Sequence, residues 1–390
     1  MSGTQAFHTR ISTRPTWAEI SLANLRSNFR AIQQHVGEAV KVCAVVKADA
    51  YGHGAVECSR ALETEGAKWL GVTSLDEAVP LRDAGVASRI LLMTGFWQGE
   101  QEEVIRLALT PTVWEVSQIE LLERAAAKLA VRGQSVHLKI DSGMGRLGAS
   151  LEGLTNLCAV LKSCEHLVLE GVSTHLASSE VLDSESVQQQ LQRFEEAQQI
   201  VRRNGLNAAL LHIANSSAII SRPESWKQMV RPGCALYGYH LPFKKSDGQV
   251  DAYSKFALKP VLTWKTQILS VKAVKAHQAL GYGGTFTTSR PSMIAVLPVG
   301  YADGLNRRLS SRANVIVKGA YAPVCGRISM DLTLIDVTDI PGVVAGDEAI
   351  LLGSQGDLNV DAQQHAILAD TIAYEILCNI SKRVPRKYTD

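Results

Sequence analysis

The feature that most constrains this chain is a rhythm. From residue 21 to about 240, short apolar, largely β-branched runs alternate with longer stretches of helical periodicity. Eight runs stand out: VCAVVK (42–47), WLGVTS (69–74), ILLMTG (90–95), TPTVWE (110–115), VHLKID (136–141), LEGVST (169–174), ALLHIA (209–214) and MVRPGCALYG (229–238). Strands alternating with helices imply a parallel sheet joined by helical crossovers. Eight such units behind an opening helix at 21–36 fit an α/β fold of the (β/α)8, TIM-like barrel type, for which ~250 residues is typical. A doubly wound open sheet is the other arrangement this rhythm allows.

After the polar segment PFKKSDGQVDAYSK (242–255) the pattern changes. LTWKTQILSVKAV, SMIAVLPVGY, ANVIVKG, DLTLIDV and EAILLG, punctuated by Gly, Pro, Asp and Ser, read as a mainly antiparallel β domain. One amphipathic helix is expected over 361–380. The chain of 390 residues exceeds the roughly 250–300 at which a single core stops growing. The expected division is a barrel over 15–245 and a β-rich C-terminal domain over 246–390 that also takes residues 1–14.

An apolar share of 46%, a charged share of 20% and a net charge of +2 point away from nucleic acid and acidic membranes and toward a small-molecule substrate. The polar start MSGTQAFHTRISTRPTW and the lack of any long apolar run predict a cytoplasmic protein. Seven cysteines without a C-x-x-C pair suggest neither a disulfide framework nor a metal site.

In a barrel the active site gathers at the carboxyl ends of the strands. Polar residues at those positions are Lys47 and Tyr51, then Arg146, His175, Asn215 with Ser216, and Arg231 with Gly233. Lys47 ends an apolar run, and a dry surrounding lowers an amine's pKa and leaves it nucleophilic, as Schiff-base chemistry requires. Alone it would read as a lysine at the polar end of a buried strand. KADAYGHG adds a phenol and two glycines where a ligand could approach the backbone. GMGRLG (143–148) matches a dinucleotide fingerprint, but it follows the fifth run and puts Arg146 where the backbone should meet pyrophosphate. Arg146 reads better as a carboxylate fork. Lys139 lies seven residues before it, either exposed at the strand end or facing Arg146 across an anion, for which Asp141 is available. A lone His175 is more often a core group than a catalyst. Ser216 and Ser217 read as a helix cap or, with RPGCALYG, as a phosphate site.

The motifs AVVKADAYGHG, KIDSGMGRLG, THLA, HIANSS, VRPGCALYG, GYGGTF, VGYADG, GRISMD and AYEIL, in this order from about residue 15 to the C-terminus, identify the chain as similar to the pyridoxal-phosphate-dependent alanine racemases of fold-type III. The resemblance implies interconversion of L- and D-alanine by two bases, for peptidoglycan supply or for catabolism. Lys47 would carry pyridoxal 5'-phosphate covalently and act on one face of the substrate, with Tyr282 on the other. Phosphate contacts would fall on Tyr51, Ser216, Gly233, Cys234 and Tyr374, with Asn215 also at the cofactor. Arg231 would face the pyridine nitrogen with His175 behind it, and Arg146 and the backbone of Met330 would hold the substrate carboxylate. Lys139 matches a lysine that is often carbamylated, and Tyr301 would gate the site. A head-to-tail homodimer is implied, each β domain completing the partner's barrel.

A racemase of broader specificity, acting on serine as well as alanine, fits the same residues. A fold-type III amino-acid decarboxylase would need an acidic residue where Arg231 stands, and a cofactor-binding barrel without catalytic function would lack residues 260–390.

Overall fold

Each of the eight runs forms a parallel strand in the computed structural model, which describes residues 14–251 and 256–390. Residues 1–13, assigned above to the second domain, and 252–255 of the polar segment lie outside the described residues. After an N-terminal strand β1 (Thr16–Ser21) come β2 (Lys41–Val45), β3 (Trp69–Val72), β4 (Arg89–Leu92), β5 (Leu109–Val113), β6 (Gln134–Lys139), β7 (Leu167–Ser173), β8 (Leu210–His212) and β9 (Met229–Val230). Neighbours follow sequence order from β2 to β8, and β9 returns to pair with β2. Between β8 and β9, the Gln228 N–H donates to the Leu211 carbonyl at 3.1 Å and the Arg231 N–H to that of Ala214 at 2.9 Å. A doubly wound sheet has a reversal of strand order and two open edges; a sheet whose last strand pairs with its first is a nearly closed barrel.

Helices complete the crossovers because their local signals agree with their positions. Ser21, Ser74, Ser150 and Ser184 each accept a backbone N–H in the first turn of the helices Leu22–Val36, Leu75–Asp83, Leu151–Ser163 and Glu185–Arg203, each such cap contributing about 1 kcal/mol. Leu22–Val36 buries Leu25, Phe29, Ile32 and Val36, the spacing of one helical face. The single helix expected over 361–380 is in fact two, Ala362–Ala369 and Ala373–Cys378. The break falls at Asp370, whose φ of 57° is left-handed, a conformation that a short polar side chain tolerates better than most.

The barrel belongs to a unit formed by Ser21–Val261, and a second unit holds the described residues up to Ile20 with Leu262–Thr389. In the second unit β1 lies antiparallel beside Leu262–Gln267, which pairs with Glu348–Gln355 and through it with Asn314–Val317. A smaller antiparallel sheet joins Ser270–Val274, Ser292–Leu297 and Thr333–Asp336. The buried carboxylate of Asp303 organises one corner: it accepts the Gly300 N–H at 2.9 Å and pairs with Arg14 at 2.9 Å and Arg383 at 3.4 Å.

Candidate active site

β2 stops at Val45, so Lys47 is not the last residue of the strand but opens the turn beyond it. The strand end is held on both sides, by the Val45 N–H on the Pro232 carbonyl at 3.0 Å and the Val46 N–H on that of Gly71 at 2.9 Å. Lys47 is half-buried at the rim. The four residues after it, Ala48 to Tyr51, all have φ between 52° and 54°, a full left-handed turn that costs L-residues about 1–2 kcal/mol each. Such strain persists only where the surroundings enforce it. Glu77 does so from the next crossover, accepting the Ala48 N–H at 2.7 Å while also bound to the Thr73 N–H and hydroxyl. From within the turn, the Asp49 carboxylate accepts the Ala55 N–H at 2.7 Å. The turn carries the Tyr51 phenol to the segment after β9.

There a side chain at position 233 would collide with the Tyr51 hydroxyl, so the glycine is required for close approach. The buried Ser216 hydroxyl accepts the backbone N–H groups of Gly233 at 2.9 Å and Ala235 at 3.3 Å. Cys234 turns its thiol toward the Tyr239 carbonyl at 3.1 Å. The helix cap read onto the serines belongs instead to Asn215, whose Oδ1 accepts from the Ala218 N–H at 3.1 Å and the Ser179 hydroxyl at 2.7 Å. Two hydroxyls converging on a run of backbone N–H groups make a donor set that suits a phosphate.

Arg231 is buried, and both terminal nitrogens of its guanidinium are engaged: one donates to His212 Nδ1 at 2.7 Å, the other to the carbonyls of Thr174 at 2.8 Å and Ile213 at 3.0 Å. The His175 Nδ1 lies 3.3 Å from it. Burial lowers the Arg231 pKa only to about 10, so the group stays cationic at neutral pH. Burial first, then the charges of Arg231, Arg146 and Lys139, push His175 well below the ordinary imidazole range, so it is neutral.

Lys139 is buried, not exposed at the strand end, and donates to the Met93 carbonyl at 3.3 Å. Burial and the charges of Arg231, Arg146 and Lys47 bring its pKa from 10.5 to about 8, with Asp141 opposing. Asp141 is a weak counter-ion because it is engaged elsewhere: its Oδ1 accepts the N–H groups of Gly143 at 2.9 Å and Gly145 at 3.1 Å. The 141–149 loop folds back onto β6 through Ala149 and opens no helix at its glycines, unlike a dinucleotide turn. It leaves Arg146 exposed.

The remaining candidates lie in the second unit. Tyr282 is 71% exposed, Tyr301 43% and Met330 53%. The Tyr301 N–H donates to the Ser329 carbonyl and the Ala302 N–H to that of Met330, each at 3.0 Å, so these two residues share a corner. Gly281 approaches the Arg327 backbone, which puts Tyr282 on an adjoining loop. Tyr374 rides on the second of the two short helices. Sequence reasoning missed Glu77, Tyr237, whose hydroxyl donates to the Val45 carbonyl at 3.0 Å, and His212; His212 and Tyr237 lay inside recognised motifs, HIANSS and VRPGCALYG, and Glu77 in none.

Fold and site together define the class, a barrel enzyme with an amine at the strand rim beside an anion cradle. Residues 20–241 match the family described as alanine racemase, N-terminal domain, and residues 261–388 match alanine racemase, C-terminal domain. The chain belongs to the alanine racemase family. It is 41% identical over 376 residues to an alanine racemase of Halothermothrix orenii, covering 96% of this chain and 97% of that one. To an alanine racemase of Sorangium cellulosum it is 40% identical over 389 residues, covering 97% and 100%. Among solved structures, the alanine racemase of Streptomyces coelicolor superposes with a TM-score of 0.89 at 34% identity over 97% of this chain and 99% of that one. That of Bartonella henselae, with covalently bound pyridoxal phosphate, gives 0.84 at 30% identity over 96% and 99%.

Proposed function

We propose that this protein interconverts L- and D-alanine, with pyridoxal 5'-phosphate carried on Lys47 and with Lys47 and Tyr282 as the two bases. The observation that carries the reading is the Lys47 amine at the rim of the barrel, on a strained turn that ends at the phosphate-type cradle of Tyr51, Ser216 and Gly233. When bound, the cofactor supplies the electron sink that acidifies the substrate Cα–H. Asn215 and Cys234 would line the cradle, the family resemblance adds Tyr374 as a phosphate contact, and Arg231, held from behind by His212 and beside His175, would face the ring nitrogen. A guanidinium so basic gives up no proton there, which keeps the electron sink weak and favours simple proton return over transamination.

Racemisation requires a proton to leave one face of Cα and return to the other, so one acid/base group on each side is the simplest solution. Lys47 serves one face and Tyr282 the other, while Arg146 and the Met330 backbone hold the carboxylate and Tyr301 gates access. Lys47 and Tyr282 belong to different units, and the exposed loops of Tyr282, Tyr301 and Met330 support a head-to-tail homodimer in which each copy completes the other's site. The reading places the enzyme in the cytoplasm, supplying D-alanine for peptidoglycan or degrading it; no helix among the described residues is long and apolar enough to cross a membrane. The test is to incubate the purified protein with L-alanine and follow D-alanine by chiral chromatography. Visible absorbance that borohydride bleaches is expected, together with convergence to equal amounts; no D-alanine from the coloured enzyme would end this reading.

Lys139 extends it. A neutral amine can attack CO2, forming an N–C bond and releasing a proton, and the resulting carbamate places an anion beside Arg146. The low pKa supplies the neutral amine and has its own signature. Between about pH 8 and 10.5 the unfolded chain holds a proton that folded Lys139 has released, so the stability of the folded state rises with pH across that window. In CO2-free buffer the thermal midpoint of the wild type should gain on that of Lys139→Met from pH 8 to 10; parallel profiles would show that Lys139 keeps its ordinary pKa.

A further inference from the structure

A polar chain runs through the barrel where branched apolar side chains usually fill the interior. It starts at Arg89, the first residue of β4, with its side chain 44% exposed and its guanidinium stacked 4.1 Å over the Trp69 ring. Arg89 binds both carboxylate oxygens of Glu170 on β7, one of them at 2.6 Å. Glu170 Oε2 lies 3.5 Å from His137 Nε2 on β6. His137 Nδ1 lies 2.8 Å from His212 Nε2 on β8, and His212 Nδ1 accepts from Arg231 at 2.7 Å. The proposed function uses only the last two of these groups, His212 and Arg231.

The hydrogens in this chain can be arranged in one way. Guanidinium has donors and no acceptor, so His212 Nδ1 must be bare. His137 and His212 are both fully buried, and burial drives each below the ordinary imidazole pKa, His212 further under the charge of Arg231. Each ring therefore carries one proton. That of His212 sits on Nε2 and is donated to His137 Nδ1; that of His137 sits on Nε2, facing Glu170. His137 Nε2 is buried and makes no hydrogen bond; at 3.5 Å the Glu170 carboxylate faces it as the neighbouring charge. Burial would raise the Glu170 pKa, but His137 and Arg89 outweigh it and hold it at about 2, so the far end is an acceptor-only carboxylate. A donor-only group at one end and an acceptor-only group at the other demand the same tautomer of both rings. The backbone makes room for the arrangement: the β6–β7 register shifts between Val136 and His137, and a Cβ at Gly171 would fall 2.6 Å from the His137 ring.

We propose that Glu170 and His137 are positioning residues for Arg231, acting through His212. A carboxylate behind an imidazole makes it a stronger acceptor and fixes its ring orientation, as in carboxylate–histidine–metal triads, and hydrogen bonds in series polarise one another. The proposal rests on the placement of Arg231 at the cofactor ring nitrogen, and its test separates the two.

In 15N-histidine-labelled holoenzyme, His137 and His212 are expected as neutral Nε2–H tautomers from pH 7 to 9. Glu170→Ala should release the His137 tautomer, shift the cofactor absorbance band and lower kcat about 10- to 100-fold with little change in KM. Glu170→Gln, which keeps an acceptor and nearly the same shape, should restore the tautomer and most of kcat. An Nδ1–H tautomer at His212, a Glu170→Ala enzyme with wild-type kcat and spectrum, or a Glu170→Gln enzyme as impaired as Glu170→Ala would each overturn the proposal. Tautomers as expected, with a cofactor band insensitive to Arg231→Lys, would uphold the histidine chain and overturn the ring-nitrogen placement instead.

Discussion

Replacing Lys47 with alanine is expected to remove both the visible absorbance and the activity, with racemisation falling by at least about 1,000-fold. Two losses combine: the covalent tether of the cofactor and the base on one face of Cα, the second alone contributing about 100- to 10,000-fold in typical enzymes. The barrel should survive, because Lys47 lies beyond β2 and its neighbours Val45 and Val46 keep their bonds to Pro232 and Gly71. Chiral chromatography and far-UV circular dichroism check the two halves. A colourless Lys47→Ala enzyme with more than a tenth of wild-type turnover would remove Lys47 from its role.

Tyr282→Phe comes second, with an expected loss of about 100- to 10,000-fold in racemisation. Because L- and D-alanine have equal free energy, kcat/KM must fall by the same factor in both directions, so rates alone cannot assign the faces. Deuterium wash-in can. The enantiomer whose Cα–H faces Lys47 should still exchange with solvent, while the other should not. Equal loss of exchange from both enantiomers would contradict a two-base mechanism. Tyr282 is 71% exposed, so the change should leave folding stability within about 0.5 kcal/mol of wild type.

Much of this site was legible in sequence because its chemistry is tied to strand ends. Lys47, Tyr51, Ser216 and Arg231 each follow or sit within an apolar run, and a barrel brings such positions to one rim. Their surroundings were less legible. Glu77 is an unremarked acid on a crossover helix, yet it anchors the turn after Lys47. His137 sits in VHLKID and Glu170 in LEGVST, where a strand pattern registers apolar neighbours rather than a hydrogen bond to another strand. The 361–380 helix was read as continuous because nothing in its periodicity marks Asp370 as a break.

By itself the sequence determined the eightfold strand and helix rhythm, the β-rich C-terminal half and the residue types at the strand ends. These follow from local physics: side-chain periodicity, backbone propensity and short-range capping act within a few residues. Only the tertiary structure decided whether the sheet closes, since β9 meets β2 across nearly 190 residues of sequence and the same rhythm also suits an open sheet. It alone decided that Lys47 is followed by a left-handed turn, which no local preference favours and which contacts from another crossover impose. The depressed pKa of Lys139 and the single tautomer of the histidine chain likewise arise from groups on different strands, whose proximity and low-dielectric surroundings exist only once the barrel has formed.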